Sequence, residues 1–158
     1  MSTPFTQLEF RNALGSFATG VTIITALGEN GQKIGMTANS FNSVSLNPPL
    51  VLWSIGKNAN CFDDFIKARA FAVHVLAADQ EEISNSFATP GKDRFEGIEC
   101  SQGLLGIPIL PHYSACFQCK KAAQHEGGDH VIITGEVTNF TDNELQPLLF
   151  YRGKYHSL

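Results

Sequence analysis

The strand-like runs of this chain are joined by short turns and short helices, and this pattern restricts the fold more than any other feature. Residues 21–27 (VTIITAL) are rich in β-branched side chains, 28–31 (GENG) is typical of a tight turn, and 32–39 (QKIGMTAN) can return as the second strand of a hairpin. Further strand-like runs occupy 50–56, 70–78, 114–124 and 130–140. Because helices and strands do not alternate regularly, the sequence predicts an antiparallel barrel or sandwich, mainly β with peripheral helices, rather than a doubly wound nucleotide-binding fold.

The first predicted helix, at 5–15, carries signals at both of its ends. Thr6 and Glu9 have the spacing of a capping box, in which each side chain bonds the backbone N–H group of the other residue. Gly15 can end the helix in a left-handed conformation, which glycine adopts without steric cost. We therefore expect a short helix before the first long strand.

Two further helices are predicted at 58–69 and 79–88, each directly beside a strand-like run. Asn58 or Asn60 can cap the first of them, and Asp79 can cap the second, because short polar side chains accept hydrogen bonds from the first free N–H groups of a helix. Apolar residues recur at helical spacing in both segments, so each helix is expected to pack one face against the sheet.

Residues 90–112 are unusually rich in glycine and proline. Neither residue type favours the interior of a helix or a strand, so a long irregular excursion is predicted. Long excursions in compact proteins often have a function of their own. The sequence leaves open whether this one is a lid over a site or an arm that reaches a second subunit.

Composition excludes several classes of protein. With 158 residues, 43% of them hydrophobic, the chain can form a single domain over residues 1–158 with a core of its own. The net charge is −4 and the longest basic run is Lys120–Lys121, so we expect neither nucleic acid nor a membrane as a partner. No signal peptide and no apolar stretch of roughly 20 residues is apparent, and the four cysteines are expected as reduced thiols in the cytoplasm.

An uncharged polar segment, IGMTANSFNSVSLNPPLV at 34–51, lies between two apolar runs. Two interpretations of it are open. Its hydroxyl and amide side chains can bond their own backbone in a turn-rich connection. Alternatively, hydroxyls and backbone N–H groups can hold a flat ligand with many acceptors and an anionic tail, because oriented dipoles bind phosphate without a compensating lysine.

Five blocks of sequence resemble, in order, those of the flavin reductase-like family. They are FRNALGSFATGVTIITA at 10–26, GMTANSFNSVSLNPPLVL at 35–52, FAVHVLAADQEEISNSFA at 71–88, GDHVIITGEV at 128–137 and PLLFYRGKY at 147–155. One such block would be a weak signal, but five ordered blocks over most of the chain are specific. The resemblance implies a six-stranded antiparallel Greek-key split barrel, a homodimer, and FMN or FAD bound near the dimer interface.

The same resemblance assigns the flavin to the uncharged polar segment. It implies that the isoalloxazine ring is lined by Thr37, Ala38, Asn39 and Ser40. It places the ribityl and phosphate groups near the start of the helix at 58–69, which as a helix N-terminus is a ready anion site. The residues expected there are Ser43, Ser45, Ser54, Lys57, Asn58 and Asn60. The family often carries serine or threonine around 57–60, so the asparagines are a departure that affects individual phosphate contacts.

The activity that the resemblance implies is hydride transfer from the nicotinamide C4 of NADH or NADPH to the flavin N5, for which the flavin supplies the chemistry and the protein supplies position and electrostatics. Asn39 and neighbouring backbone N–H groups are candidates to stabilise negative charge on the reduced ring. His130, in the sequence GDH, is expected beside the nicotinamide, where it orients the carboxamide or supplies a proton, with Asp129 holding its tautomer. By pattern alone, a capping or core histidine at the start of a strand is the favoured interpretation of His130.

Five further residues are assigned to the cofactor or nucleotide by the blocks in which they lie. The family commonly has asparagine at the position of His74, and a histidine there can donate to a flavin carbonyl or be satisfied within the protein. The other four residues are Phe87, Arg94, Arg152 and Tyr155.

A zinc site is the alternative that four residues raise. Cys116, Cys119, His125 and His130 form the pattern C-x2-C-x5-H-x4-H, whereas zinc fingers leave about 12 residues between the two pairs. Cys116 and Cys119 would also face opposite sides of a strand, because side chains alternate along it. We therefore expect no metal.

The leading prediction is an NAD(P)H-dependent flavin reductase that supplies reduced flavin to a partner monooxygenase. Two alternatives stay open: a flavoprotein of the same fold that reduces another acceptor, such as ferric ion, cob(II)alamin or an aromatic substrate, and a flavin-binding module without turnover. The sequence does not distinguish FMN from FAD, NADH from NADPH, or a tightly bound flavin from a diffusing one.

Overall fold

The computed structural model describes residues 3–158 and shows a mainly β protein with short helices at its periphery. The helices are α1 (Gln7–Leu14), α2 (Phe62–Lys67) and α3 (Glu81–Ala88), and a 3₁₀ turn covers Leu104–Gly106. The strands are β1 (Thr19–Gly20), β2 (Thr22–Leu27), β3 (Lys33–Ala38), β4 (Asn42–Leu46), β5 (Pro49–Gly56), β6 (Ala70–Val75), β7 (Ser101–Gln102), β8 (Pro108–Ile109), β9 (Ala115–Gly127), β10 (His130–Asp142), β11 (Leu149–Tyr151) and β12 (Lys154–His156). A bilayer crossing would need a longer and more apolar helix than any found in residues 3–158.

Seven strands form one antiparallel sheet in the order β3, β2, β6, β9, β10, β5, β4. The predicted class, mainly β and antiparallel with peripheral helices, is confirmed. The implied number of six strands is wrong for this sheet, because Asn42–Leu46 folds back against β5 as an additional edge strand. Two smaller sheets accompany it, one of β1, β11 and β12 and the other of β7 and β8.

Three aromatic rings hold α2 against the sheet. The ring of Trp53 on β5 lies edge-on to Phe65 of α2, with centroids 5.0 Å apart, and to Phe71 of β6, with centroids 6.1 Å apart. Each ring is at most 2% exposed, and burying a side chain of this size stabilises the fold by about 1.5–3 kcal/mol. A Cβ atom on Gly135 of β10 would lie 2.4 Å from the Phe71 ring, so only glycine leaves room for that ring. This packing fixes β5 and β10, the two strands that carry Ser54 and His130.

Helix α1 has the predicted capping box at its N-terminus but not the predicted left-handed glycine at its C-terminus. The Thr6 side chain accepts from Glu9 N at 3.1 Å, and Thr6 N donates to the Glu9 carboxylate at 2.7 Å, so the capping box is present. Gly15 has φ −63°, which is right-handed, so the predicted left-handed stop is wrong. The chain instead continues in tight turns, because Ser16 N and Phe17 N donate to carbonyls three residues earlier.

The predicted caps of the other two helices are wrong. Helix α2 begins only at Phe62, after turns in which Ala59 N donates to Gly56 O and Phe62 N to Ala59 O, so neither Asn58 nor Asn60 caps it. Helix α3 begins at Glu81 and likewise has no side-chain cap. The carboxylate of Asp79 bonds His112 instead, at 3.1 Å.

The excursion at 90–112 is partly built into the core. Ile107, Ile109 and Leu110 are all buried, and Thr25 Oγ1 donates to Pro108 O at 2.7 Å. Its C-terminal part therefore covers the sheet as a fixed element. The N-terminal part, around Pro90–Phe95, lines cavities instead, as described below.

Candidate functional site

The end of β3 connects the two halves of the candidate site. Thr37 Oγ1 donates to Ser84 O of α3 at 2.6 Å, and Thr22 Oγ1 donates to Ala38 O at 2.6 Å, so this end of the strand is held on both sides. Asn39, which follows, is exposed. Ser40 then crosses to β5, where its Oγ atom bonds both backbone groups of Ser54. The segment 37–40 is therefore rigidly positioned, with the Asn39 side chain left accessible.

The largest cavity of the site, here called the ring cavity, has a volume of about 820 Å³. Asn39 and Ser40 form part of its wall, and the remainder comes from the end of α1 and from the β11–β12 turn. Its lining residues are Arg11, Asn12, Leu14, Gly15, Phe17, Thr19, Asn39, Ser40, Phe150, Arg152 and Gly153. The Oγ1 atom of Thr19 is buried in this wall without a hydrogen-bond partner among the described residues. A ligand with an acceptor or donor at that point would satisfy it.

The C-terminal hairpin places Arg152 and Tyr155 differently. Arg152 adopts φ +47° at the β11–β12 turn, and its N–H group donates to Gly15 O at 2.9 Å, which holds the turn against the end of α1. Its guanidinium lies over the Tyr151 ring, 5.5 Å from the centroid, and borders the ring cavity. The Tyr155 hydroxyl instead bonds α3, at Ser84 Oγ (2.7 Å) and Asn85 Oδ1 (3.1 Å). Tyr155 therefore holds α3 in place, and α3 in turn bonds Thr37 through Ser84 O.

A second cavity of about 420 Å³, here called the inner groove, lies on the other side of segment 37–40. Five predicted residues line it together: Thr37, Asn58, Asn60, Phe87 and Arg94. They come from β3, the turns before α2, the end of α3 and the excursion, so the fold gathers residues that are far apart in sequence. Phe87 itself is fully buried, edge-on to Phe95 at 5.0 Å. The ring supports the floor of the groove, and contact between its side chain and the cofactor stays a prediction.

Arg94 supplies the positive charge of the inner groove. Its Nη1 atom donates to Gly35 O at 2.7 Å, and Nε and Nη2 both donate to Thr89 O at 3.3 Å. These acceptors are neutral carbonyls, and within residues 3–158 no carboxylate forms an ion pair with Arg94. The guanidinium is therefore fixed in place while its charge is left uncompensated, which suits it to bind an anion.

The inner groove continues into a third cavity of about 380 Å³, here called the outer groove. The two grooves share Asn60, Cys61, Pro90 and Arg94 as lining residues. Beyond this junction the outer groove is lined by Lys33, Ile34, Gly35, Asp64, Gly91, Lys92, Asp93 and Phe95. Burial raises the pKa of the Cys61 thiol at the junction, although the nearby Arg94 charge opposes this shift, so the thiol stays neutral.

His130 begins β10 at the hairpin with β9. Its Nδ1 atom lies 2.8 Å from Asp129 Oδ1, and hydrogen bonding and charge interaction with His130 lower the pKa of that carboxyl. An ionised Asp129 accepts a hydrogen bond from a protonated Nδ1. This leaves Nε2 as the nitrogen that is free to bind another group. Nε2 would lie 3.7 Å from a Cβ atom on Gly56, and Asn58 Oδ1 would lie 3.2 Å from the same point. His130 and Asn58 therefore both border the backbone at Gly56.

Lys57 is tied to the same hairpin. Its backbone N–H group donates to Asp129 O at 2.9 Å, and its Nζ atom pairs with Glu126 at 2.5 Å. Both side chains of the ion pair are well exposed, so the pair adds little to stability. The Lys57 ammonium group thus pairs with the β9–β10 hairpin in this structure, whereas the resemblance implied that it lies near the flavin phosphate.

Of the two roles that the sequence leaves open for His74, the structure shows the second, a ring satisfied within the protein. His74 is 0% exposed, its Nδ1 atom lies 3.1 Å from Ile23 O, and its Nε2 atom accepts from Leu110 N at 3.1 Å. These partners require the neutral tautomer with the proton on Nδ1. Burial lowers the pKa of His74 to about 4, although the bond to Ile23 opposes the shift. The ring fastens the excursion to the sheet.

Ser43 and Ser45 lie outside the cavities described here. Both are on the edge strand β4, where Ser43 is exposed and its N–H group bonds the side chain of Asn42. Ser54 reaches the site only through its backbone bonds with Ser40. The polar segment thus divides into a half at 37–40 that lines cavities and an edge strand, β4, that does not.

Several lining residues were not anticipated from the sequence, notably Thr19 and Phe17 of the ring cavity and Lys33 and Lys92 of the outer groove. Only the small residues around Thr19 gave a local signal, since GSFATG lets two chain segments approach closely. As to metals, the described part of the chain brings together no three His, Cys, Asp or Glu side chains with the geometry of a metal site. Cys116 and Cys119 are buried, whereas His125 and His130 are exposed.

Comparison with known proteins gives one consistent result. A sequence model of the family described as "Flavin reductase like domain" matches residues 14–158. The chain is 47% identical to "FMN reductase (NADH) SmoA" of Agrobacterium fabrum, over 92% of this chain and 83% of that protein. It is 42% identical to "Flavin-dependent trigonelline monooxygenase, reductase component" of Acinetobacter baylyi, over 93% of this chain. The chain spans about half of that relative, 47% of its length.

A solved structure agrees with the fold. The Streptomyces globisporus protein "NADH:FAD oxidoreductase SgcE6 in complex with NAD and FAD fragments" superimposes with a TM-score of 0.92 at 37% identity. The match covers 100% of this chain and 96% of that one.

Proposed function

The chain belongs to the flavin reductase-like family, and we propose that it is an NADH-dependent flavin reductase that transfers hydride from the nicotinamide to FMN or FAD. The observation that carries the proposal is the position of segment 37–40. Asn39 and Ser40 line the ring cavity, and Thr37 lines the inner groove. One uncharged stretch of chain therefore lies between a wide cavity and a groove that contains the guanidinium of Arg94, unpaired among the described residues. A flavin has the same two parts, a broad tricyclic ring and an anionic phosphate tail.

The residues present fit a flavin. The ring cavity, at about 820 Å³, has room for a tricyclic ring and presents the accessible amide of Asn39 together with the unpartnered hydroxyl of Thr19. Arg94 offers a fixed positive charge in the inner groove, where it would pair with the anionic phosphate of the flavin. Thr37, Asn58 and Asn60 add neutral polar groups between the two. When bound, the flavin accepts a hydride at N5, and this chemistry belongs to the cofactor.

The protein's own contribution is position and polarity. Asn39 and backbone N–H groups of the 37–40 segment donate toward the ring where negative charge develops. His130 presents Nε2 beside Gly56, while Asp129 holds the proton on Nδ1, so Nε2 accepts from the nicotinamide carboxamide, or donates to it once His130 is protonated. Holding both rings at contact distance lowers the entropic part of the barrier.

We also propose that two copies form the working enzyme. One apolar surface, here called the α1 face, is unusually exposed: Phe5 47%, Phe10 51%, Leu14 58% and Phe17 76%. The Phe5 and Phe10 rings are in contact, with centroids 5.5 Å apart, and Leu14 follows Phe10 at i+4 on the same side of the helix. Isolated exposed apolar residues are ordinary, but a patch of this kind is typical of an interface. Leu14 and Phe17 also border the ring cavity. A second copy packed on the α1 face would therefore both bury it and close the cavity from water.

The relatives named as monooxygenase reductase components support a further part of the proposal, that the reduced flavin passes to a partner monooxygenase. The four cysteines, all present as free thiols, are consistent with a reducing compartment, and we place the enzyme in the cytoplasm.

The test is steady-state oxidation of NADH and NADPH, followed at increasing concentrations of added FMN or FAD. Turnover that rises with free flavin supports the proposal. If neither nucleotide is oxidised at any flavin concentration, while the protein still binds flavin, the chain is a binding module and the proposed activity is wrong.

A further inference from the structure

The outer groove is continuous with the inner groove and lies beyond Arg94, where the proposed function places the flavin phosphate. The two share Asn60, Cys61, Pro90 and Arg94, so a ligand that reaches Arg94 can continue past it without crossing a wall. The additional volume of about 380 Å³ is comparable to that of the inner groove, at about 420 Å³. The space beyond the phosphate is therefore sufficient for a second nucleotide half.

The charges of the outer groove favour an anion. Lys33 and Lys92 line it, and neither forms an ion pair within residues 3–158. Arg94 adds a third positive charge at the junction, whereas Asp64 and Asp93 supply two negative ones. The Asp93 carboxylate is already engaged by Phe95 N at 3.2 Å, which reduces its competition for the lysines. The balance is one net positive charge in a chain whose net charge is −4.

The groove also contains a surface for an aromatic base. Phe95 lines it and is only partly buried, while its ring is held edge-on to Phe87 at an interplanar angle of 82°. An immobilised ring beside cations is the combination with which proteins bind nucleotides, because the base stacks and the phosphate pairs. Gly91, at φ +76°, has no neighbouring atom near its Cβ position and keeps this side of the groove open.

From these observations we propose that the outer groove binds the adenosine monophosphate half of FAD, with Lys33 and Lys92 pairing the adenylate phosphate and Phe95 contacting the adenine. Arg94 then lies at the pyrophosphate. The inference rests on the proposed function, because it places the flavin phosphate in the inner groove. It adds that this chain binds FAD more tightly than FMN and names the residues responsible.

The test compares the dissociation constants of FAD and FMN for the wild type and for the double variant Lys33→Gln, Lys92→Gln. We expect FAD binding to weaken about tenfold, since two solvent-exposed charge pairs are lost, and FMN binding to change less than twofold. The control is Lys120→Gln, Lys154→Gln, which removes the same charge from exposed lysines on β9 and β12 that do not line either groove. It should leave both constants unchanged.

Free AMP and the kinetics of NADH separate the possible failures. AMP should displace FAD competitively from the wild type while leaving FMN bound. Equal weakening of FAD and FMN in the double variant, or no weakening of either, overturns the inference while the flavin reductase proposal stands. A rise in the KM for NADH with unchanged FAD affinity would also overturn it, because the groove would then bind the adenosine of the nicotinamide nucleotide. Failure of the wild type to bind any flavin would refute the proposed function itself.

Discussion

The hydroxyl of Ser40 takes the place of a neighbouring strand for Ser54. Ser54 N donates to Ser40 Oγ at 2.9 Å, and Ser40 Oγ donates in turn to Ser54 O at 3.1 Å. Strand β4 pairs with β5 only as far as Leu52, so without Ser40 both backbone groups of Ser54 would lack a partner on that edge. One side chain thereby joins the site-forming segment 37–40 to the sheet.

Replacing Ser40 with alanine removes a single oxygen atom, but it should lower both the stability of the protein and its affinity for flavin. We expect Ser40→Ala to lower the free energy of unfolding by about 1–3 kcal/mol, because a partly buried N–H group loses its acceptor. Flavin affinity should fall as well, since the segment that lines the ring cavity is no longer held. Denaturant unfolding and flavin titration measure the two effects. Ser43→Ala, on the exposed edge strand, is the matched control, and an equal effect of both substitutions would contradict this role for Ser40.

His130 should act on the nicotinamide and not on the flavin. His130→Ala removes the nitrogen beside Gly56, so we expect either a higher KM for NADH or a slower hydride transfer, with the flavin dissociation constant changed less than twofold. Single-turnover kinetics under anaerobic conditions separate the two possibilities. His125→Ala, an exposed histidine of the same hairpin, should behave like the wild type. An unaltered turnover profile in His130→Ala would remove the residue from the mechanism.

His74 should make folding stability depend on pH. Its pKa in the folded protein is about 4, against about 6.5 for an ordinary histidine, so the unfolded chain binds a proton that the folded protein resists. The stabilisation is complete above pH 6.5 and is lost as pH falls toward 4, by up to about 3 kcal/mol.

Unfolding free energies at a series of pH values measure this effect. His74→Asn lacks the titrating group, so its stability should change less over the interval from pH 6.5 to 4 than that of the wild type. His125→Asn should keep the full dependence, because that histidine is exposed. If His74→Asn retains the same slope as the wild type, the acid sensitivity has another origin.

The α1 face should control the association of two copies. Phe10 is 51% exposed on this face, and Phe10→Glu places a charge where a second copy would pack. We expect this variant to sediment as a monomer and the wild type as a dimer. Gln102→Glu adds the same single negative charge at an exposed position of β7, outside α1, and should remain dimeric. A wild type that is monomeric at micromolar concentration would contradict the proposed dimer.

Features with local causes were predictable from the sequence. The capping box of Thr6 and Glu9 depends only on residues three apart, and it forms as expected. The hairpin of β2 and β3 follows from two β-branched runs around a turn, and it too is present. The buried strand β5 was indicated by an apolar run too short for a typical helix.

Features with distant causes were not predictable in this way. His74 has the alternation of a strand residue, but its role depends on Leu110, whose backbone N–H group donates to the His74 ring from 36 residues away. Asn58 and Asn60 have the chemistry of helix caps. However, backbone hydrogen bonds to Gly56 O and Ala59 O form turns through this segment, so the helix begins only at Phe62. Lys33 and Lys92 are ordinary surface residues in the sequence, and only the fold brings them to one groove.

The central claim is that the uncharged segment from Thr37 to Ser40 binds the flavin. A crystal structure of the protein soaked with FMN tests it most directly. We predict that the tricyclic ring lies in the ring cavity within hydrogen-bonding distance of Asn39 or the 37–40 backbone, with the phosphate near Arg94. An FMN molecule bound elsewhere, with segment 37–40 free of contact, would contradict the account.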